Sequence, residues 1–71
     1  MGSLNGYASN DLLPADVRAA LPEGAQDIYR EAYNNAIFNG ARLFPASQEA
    51  WGNVRMFYHQ DASGAWLPGV E

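Results

Sequence analysis

The sequence predicts a mainly α-helical fold, a small three-helix domain with at most a short two-stranded β pairing near the termini. Apolar residues recur at helical spacing in three segments, and prolines or glycines stand at the ends of those segments. The chain has 71 residues and no cysteine, so no disulfide or thiolate metal site can brace it. A core this small must be held by well-packed helices or by association with another chain.

The N-terminal residues 1–10 are rich in glycine, serine and asparagine, which predicts a flexible arm, and residues 11–71 form one domain. The first helix is predicted over about residues 14–21. Pro14 suits its first position, because the N–H that proline lacks would have no partner there. Asp16 complements the positive end of the helix dipole. The predicted apolar face consists of Val17, Ala20 and Leu21.

The second helix is predicted over about residues 23–39, with Pro22 and Gly40 as its start and stop signals. Its apolar positions fall at i, i+3, i+4, i+7 and i+11, which is a helical period. These positions are Ala25, Ile28, Tyr29, Ala32 and Ala36, with Tyr33 at the edge of the stripe. Asp27 and Arg30 have the spacing of a helix-stabilising ion pair. The predicted wet face consists of Gln26, Asp27, Arg30 and Glu31.

The third helix is predicted over about residues 46–59, beginning near Pro45 or Ser47. Its apolar stripe consists of Ala50, Trp51, Val54, Phe57 and Tyr58. The Asp-Ala-Ser-Gly sequence that follows is a turn signal. After this turn we expect a short extended segment that carries Trp66.

The charge distribution argues against several classes of function. Eight acidic residues accompany four arginines and no lysine, and the formal net charge is −4. Phosphate binding needs clustered basic side chains, whereas the arginines are spread along the chain at Arg18, Arg30, Arg42 and Arg55. We therefore expect no autonomous nucleic-acid binding. Neither a bilayer-spanning apolar run nor a signal-peptide pattern is present, so we expect no membrane insertion and a cytoplasmic location.

No set of residues in the sequence is typical of an enzyme. His59 is the one histidine, and a single histidine with Asp61 makes neither a metal site nor an acid–base pair. The serines fall in predicted loops or at a helix start, where serine serves as a cap or turn residue. We therefore predict no catalytic residue, no cofactor and no metal ion.

Two blocks of the sequence resemble the ChaB family. The first, LPADVRAALPEGAQDIYREAYNNA, has the family's paired LP segments and an AQDIYKEAFNSAW-like run. The second, AWGNVRMFYHQDASGAW, is similar to the family pattern AWxxVKxxYxxxxxxxW, with Arg55 in place of the lysine. The resemblance covers about residues 11–67. It implies a shared core of Ala25, Ile28, Tyr29, Ala32, Tyr33, Ala36 and Trp51.

The resemblance also carries expectations about structure and function. It implies that Trp66 folds back onto the helices beside an extended Asp11–Pro14 segment, and that Gln26 or Asp27 binds the backbone of a neighbouring segment. The family is named for a regulator of a cation/proton antiporter. Between its two blocks this chain lacks the family's charged insert and has the apolar IFNGARLFPASQE instead. We interpret the chain as a divergent member, of the kind that phage and viral genomes carry.

Three functions are compatible with these features. Our prediction is a small non-enzymatic regulator that binds another protein or a second copy of itself. The alternative is a nucleic-acid-associated viral ChaB-like protein, which the net charge disfavours. The third, a cation-binding accessory protein, would need a cluster of carboxylates that the sequence does not have.

The predicted partner-binding residues are Phe38, Met56, Leu43 and Phe44. At about 100° per residue, Phe38 falls among polar residues on the outer side of the second helix, and Met56 falls off the apolar stripe of the third. Several large apolar residues that gather in one patch indicate an interface. For Leu43 and Phe44 we favour the alternative that the short connection folds them into the core.

Overall fold

The structure, a computed structural model, describes residues 6–69 of the chain. Its elements are a 3-10 helix over Asn10–Leu12, α1 over Ala15–Ala20, α2 over Glu23–Phe38, α3 over Leu43–Phe57, β1 over Tyr58–Gln60 and β2 over Trp66–Pro68. The strands pair antiparallel, with His59 opposite Leu67. The prediction of a mainly α-helical domain with three helices and a short β pairing is confirmed. In this described part, no helix has the length and apolar character that crossing a bilayer requires.

The core lies where α2 and α3 pack against each other. Small alanine side chains let the two helices approach closely, and the rings of Tyr29 and Tyr33 fill the space beside them. The buried residues are Leu13, Val17, Leu21, Ala25, Tyr29, Tyr33, Ala36, Ala46, Ala50 and Val54. Ile28, Ala32 and Trp51 are partly buried and pack against this cluster. Every residue of the predicted shared core therefore takes part in the core that the structure shows.

Helix α2 ends in a Schellman motif at Gly40, the predicted stop. The Gly40 N–H donates to the Ile37 carbonyl and the Ala41 N–H donates to the Ala36 carbonyl, both at 2.9 Å. This pattern places a residue in the left-handed region, and Gly40 has a φ of 97°. A side chain would be strained there, so glycine sets the direction in which the chain turns towards α3.

Helix α3 begins and ends earlier than the predicted range of 46–59. It begins at Leu43, and Pro45 lies in its first turn, where helix N–H groups have no intrahelical partner. It ends at Phe57, because the chain becomes extended at Tyr58 and forms β1. The prediction that Phe57 faces the core is wrong, since its side chain is mostly exposed.

The segment before α1 differs from the predicted extended form. Asn10–Leu12 forms a 3-10 turn, so the prediction of an extended Asp11–Pro14 segment beside Trp66 is wrong. Trp66 lies in β2, whose partner is β1, because the tight turn after β1 brings these two segments together. Trp66 does fold back onto the helices, where its ring contacts that of Trp51. Ala20, assigned to the apolar face of the first helix, is exposed.

A reciprocal pair of hydrogen bonds holds the N-terminal segment against α2. The Tyr7 N–H donates to Asn34 Oδ1 at 2.8 Å, and Asn34 Nδ2 donates to the Tyr7 carbonyl at 2.7 Å. The Asn34 amide therefore pairs with the Tyr7 backbone as a neighbouring strand would. The predicted flexible arm covers residues 1–10, of which 1–5 lie outside the described residues. Within the described part of this range, Tyr7 is held against α2.

The polar face of α2 binds the segments that precede it. Asn10 Nδ2 donates to Asp27 Oδ1 and Arg30 Nε donates to Asn10 Oδ1, each at 2.7 Å. Arg30 also pairs with Asp27 at 3.6 Å, which confirms the predicted i, i+3 ion pair. Gln26 Nε2 donates to the Leu21 carbonyl at 2.8 Å. The prediction was that Gln26 or Asp27 binds the backbone of a neighbouring segment, and it is confirmed for Gln26.

Candidate protein-binding surface

Five aromatic rings form a continuous row across the domain. Ring centroids are separated by 5.0 Å between Tyr7 and Tyr33, and by 6.1 Å between Tyr33 and Tyr29. Tyr29 meets Trp51 edge to face at 5.3 Å, and Trp51 lies 5.9 Å from Trp66. These separations are typical of favourable aromatic pairs, worth about 0.5–1.5 kcal/mol each beyond the buried area. The row ties the N-terminal segment, α2, α3 and β2 together.

One side of this row opens into a concave surface that we call the aromatic groove. Its volume is about 450 Å³. The lining residues are Tyr7, Pro14, Asp16, Val17, Tyr29, Tyr33, Leu43, Phe44, Ser47 and Trp51. Tyr29 and Tyr33 are buried at its floor, whereas Tyr7 and Trp51 are half-buried and Phe44 is exposed. The groove therefore combines a fixed aromatic floor with rings that a bound molecule can reach.

The two buried tyrosines of the groove have raised pKa values. Burial is the largest cause of the raised pKa of Tyr29, the nearby Tyr7 raises it further, and a hydrogen bond with Ser47 opposes them. The Asp16 carboxylate also raises the pKa of Tyr29. The pKa of Tyr33 is raised as well, first by burial and then by Tyr7. Burial therefore favours the uncharged, hydrogen-bonding form of the Tyr29 and Tyr33 phenols.

The sequence of the described core matches one protein family. The ChaB family model matches residues 13–68, from the buried Leu13 to the end of β2. The chain belongs to the ChaB family. No curated protein and no solved structure matches it. The ChaB match includes every lining residue of the aromatic groove except Tyr7, which precedes the matched range.

The residues that carry the ChaB resemblance in the second block stabilise the fold. Ala50 and Val54 are fully buried against α2. Trp51 and Trp66 form the last pair of the aromatic row, and Tyr58 packs against the core at the start of β1. These contacts join α3 to the β hairpin. These residues of the ChaB pattern therefore support the architecture of the domain.

All four predicted partner-binding residues are exposed. The exposed fractions are 88% for Phe38, 62% for Met56, 65% for Leu43 and 70% for Phe44. The expectation that Leu43 and Phe44 are folded into the core is wrong. Helix α3 begins at Leu43, and Phe44 then lies about 200° from the buried Ala46, on the opposite side of the helix.

Three of these four residues flank the same turn, and the fourth lies apart from it. Phe38 ends α2, and Leu43 and Phe44 begin α3 after the connection over residues 39–42. We call these three residues the turn patch. Met56 lies thirteen residues after Leu43 (56 − 43), which is about 20 Å along a helix. Met56 is therefore at the other end of the helical hairpin and does not extend the turn patch.

Of the ten residues that line the groove, Leu43 and Phe44 were predicted as site residues and the other eight were not. Tyr7 was assigned to a flexible arm, Asp16 was interpreted as a helix-dipole residue, and Ser47 as a helix start. One feature of the sequence could have pointed to Tyr7, since it is the one aromatic residue among residues 1–10. The approach of Asp16 and Ser47 to the same phenol depends on tertiary packing, and the sequence carries no signal for it.

The residues considered for chemistry have local structural roles. His59 Nδ1 lies 3.0 Å from the Gly69 carbonyl oxygen, across the β hairpin. Asp61 accepts hydrogen bonds from the Ser63 hydroxyl and the Ala65 N–H, and these bonds hold the pKa of its carboxyl below the ordinary value. Within residues 6–69, no three or more His, Asp or Glu side chains gather as metal ligands would. The Asp61 contacts shape the turn between β1 and β2, whereas the His59 contact joins the other end of the hairpin.

Proposed function

We propose that this ChaB-family chain is a non-enzymatic regulatory protein that acts by binding another protein through the turn patch and the adjoining aromatic groove. The observation that carries the proposal is the exposure of Phe38, Leu43 and Phe44 around one turn. Burying such side chains against a partner is favourable by about 1.5–3 kcal/mol each when burial is complete. Leu43 and Phe44 also line the groove, so a partner seated on the turn patch reaches the aromatic rings.

The family name supports a regulatory role exercised through another protein. The ChaB resemblance implies regulation of a cation/proton antiporter. A protein of this size regulates a transporter by binding to it or to a protein that controls it. In place of the family's charged insert, this chain has the apolar segment that supplies the turn patch. We propose that this replacement gives the chain its own binding partner.

The size of the turn patch favours a different protein over a second copy of the chain. Three such side chains from each of two copies, each about three-quarters exposed, would bury roughly 700–1,100 Å² in total. Stable interfaces bury about 1,200–2,000 Å². Two turn patches alone are therefore too small for a stable dimer, whereas a partner that also occupies the groove can reach the required area.

The test compares two charge substitutions in the turn patch with a matched substitution outside it. Phe38→Asp and Phe44→Asp should keep the wild-type helicity and melting temperature, because both side chains are exposed, and should lose partner capture from host lysate. Leu12→Asp is the control, since Leu12 is similarly exposed and does not line the groove. Analytical ultracentrifugation of the same variants measures self-association.

The outcome for Met56 decides how far the interface extends. If Met56→Asp also loses the captured protein, the predicted pair of Phe38 and Met56 anchors one extended partner along the hairpin. If it captures as wild type does, the interface is confined to the turn end. Folded Phe38→Asp and Phe44→Asp variants that still capture the same protein would remove the turn patch from consideration.

The nucleic-acid alternative has one observation in its favour, the accessible rings of the groove, because bases stack on such rings. The charge distribution of the chain argues against nucleic-acid binding. The net charge is −4, and Arg30 is already engaged with Asn10 and Asp27. A gel-shift titration with a single-stranded oligonucleotide at low and high salt distinguishes the two proposals. Salt-sensitive binding that depends on Phe44 would favour nucleic acid.

A further inference from the structure

The charge at the aromatic groove is negative. Among the ten described residues that line it, Asp16 is the one charged side chain, and none of the ten is arginine or histidine. One Asp16 oxygen accepts a hydrogen bond from the Val17 N–H at 3.0 Å, which fixes the carboxylate at the start of α1. Arg42 lines a neighbouring hollow with Ile37 and Leu43. A molecule in the groove therefore meets a negative charge beside aromatic rings.

Aromatic faces and a fixed carboxylate are the chemistry that recognises a cation. A guanidinium stacks on the faces of tyrosine, tryptophan and phenylalanine, and it binds a carboxylate through parallel N–H donors. Its remaining donors need acceptors, which the groove offers in its tyrosine phenols and in the Ser47 hydroxyl. The volume of about 450 Å³ lies within the range of about 300–1,000 Å³ that is typical of ligand sites.

The charge of the whole chain adds to this local preference. With a net charge of −4 and no lysine, the domain attracts basic segments and repels acidic ones. Complementary charge of this kind raises association rates and selects among partners. Both the groove and the domain therefore favour a cationic ligand.

We propose that the aromatic groove binds an arginine side chain in a basic segment of the partner protein, with the guanidinium between the Asp16 carboxylate and the accessible rings of Tyr7, Phe44 and Trp51. This inference rests on the proposed function and specifies the chemistry of its partner. The apolar stem of the arginine and its neighbours then contact Leu43, which with Phe44 belongs to both the groove and the turn patch.

The experiment uses a synthetic probe, so it does not depend on identifying the partner. A capped glycine–serine peptide with two arginines is titrated into the full chain, followed by NMR signals of the tyrosine and tryptophan rings. The same peptide with citrulline, a neutral analogue of the same shape, tests the need for charge. A lysine version tests the need for the planar guanidinium, and a glutamate version tests the sign of the charge.

The expected result is saturable binding of the arginine peptide that weakens as salt is added. The citrulline peptide should bind about tenfold more weakly and the lysine peptide severalfold more weakly, while the glutamate peptide should not bind. In the chain, Asp16→Asn should weaken arginine binding by about tenfold. The matched control is Glu49→Gln, because Glu49 is exposed on α3 and does not line the groove.

Three results would overturn this inference. They are equal binding of the arginine and citrulline peptides, Asp16→Asn binding equal to wild type, and ring shifts that Glu49→Gln changes as much as Asp16→Asn does. The proposed function has a separate outcome. If arginine peptides fail while Phe44→Asp still abolishes capture of the partner protein, the turn patch is retained and the arginine assignment is rejected.

Discussion

The polar face of α2 and the turn patch at its end use their side chains in opposite ways. On the polar face, Gln26, Asp27, Arg30 and Asn34 all bind other parts of the same chain. At the turn, Phe38, Leu43 and Phe44 are large, apolar and mostly exposed. By residue type alone, the polar face is expected to face water and the apolar residues to be buried. In these two regions, the polar side chains are the ones that hold the fold together, and the apolar side chains of the turn patch are the exposed ones.

The polar face of α2 contributes to folding stability, whereas the role proposed for the turn patch is binding. A side chain that satisfies backbone groups of another segment contributes to folding, and its removal leaves those groups without a partner. An exposed phenylalanine contributes little to folding, and its removal is expected to change stability by no more than about 0.5 kcal/mol. Substitutions in the two regions should therefore affect different measurements.

The largest effect on stability is expected from Trp51→Ala. Trp51 joins Tyr29 to Trp66 in the aromatic row, so truncation removes two ring contacts and leaves a cavity. Truncation of a buried aromatic residue costs about 3–5 kcal/mol, and the half-buried Trp51 should fall near the lower value. A domain with about 5 kcal/mol of stability would then be close to unfolding. Thermal melting followed by circular dichroism measures the change.

The control for this prediction is Phe57→Ala, also on α3, because Phe57 is largely exposed and lies outside the aromatic row. It should melt within a few degrees of wild type. Cooperative melting of Trp51→Ala at the wild-type temperature would show that the aromatic row does not hold α3 in place.

A smaller loss is expected from Asn34→Ala. The substitution removes both hydrogen bonds to the Tyr7 backbone and releases the N-terminal segment, at a cost of about 1–2 kcal/mol. Asn35→Ala is the matched control, since Asn35 is exposed and should gain only the helix propensity of alanine. Urea titration of both variants measures the difference.

Gly6→Ala provides an independent test of the same contact. Gly6 has a φ of 85°, and an added Cβ would overlap the Asn34 side chain. The variant should therefore lose about as much stability as Asn34→Ala, and the double variant should lose little more. Additive losses would indicate that Gly6 and Asn34 act on different parts of the structure.

The smallest effect is expected from pH. The pKa values of Tyr29 and Tyr33 are raised in the folded protein, so their contribution to stability is present below the unfolded value of 10.0 and is lost as pH rises through the folded values. Unfolding free energy should therefore decline only above about pH 10, together with phenolate absorbance. Tyr29→Phe should make the decline shallower. A decline of equal slope in that variant would assign the alkaline transition to other groups.

Sequence reasoning was most accurate where a signal is local. The stop at Gly40, the turn after β1 and the buried stripe of α2 all depend on residues close together in the chain. It was wrong about the start of α3, because Pro45 is compatible with either the boundary or the first turn of a helix. With residues 43 and 44 assigned to the short connection, we favoured folding them into the core, whereas α3 begins at Leu43 and both side chains are exposed.

The sequence by itself determined the three helices, the aromatic and alanine stripes of the core, and membership of the ChaB family. Helical periodicity sets which residues share one face of a helix, and this property is local. Only the tertiary structure decided which face stays uncovered and which distant residues meet. Tyr7 and Asn34 are 27 residues apart in the chain, and the groove draws its lining from the N-terminal segment, α1, α2 and α3. No local pattern encodes such a meeting, because it depends on how whole elements pack.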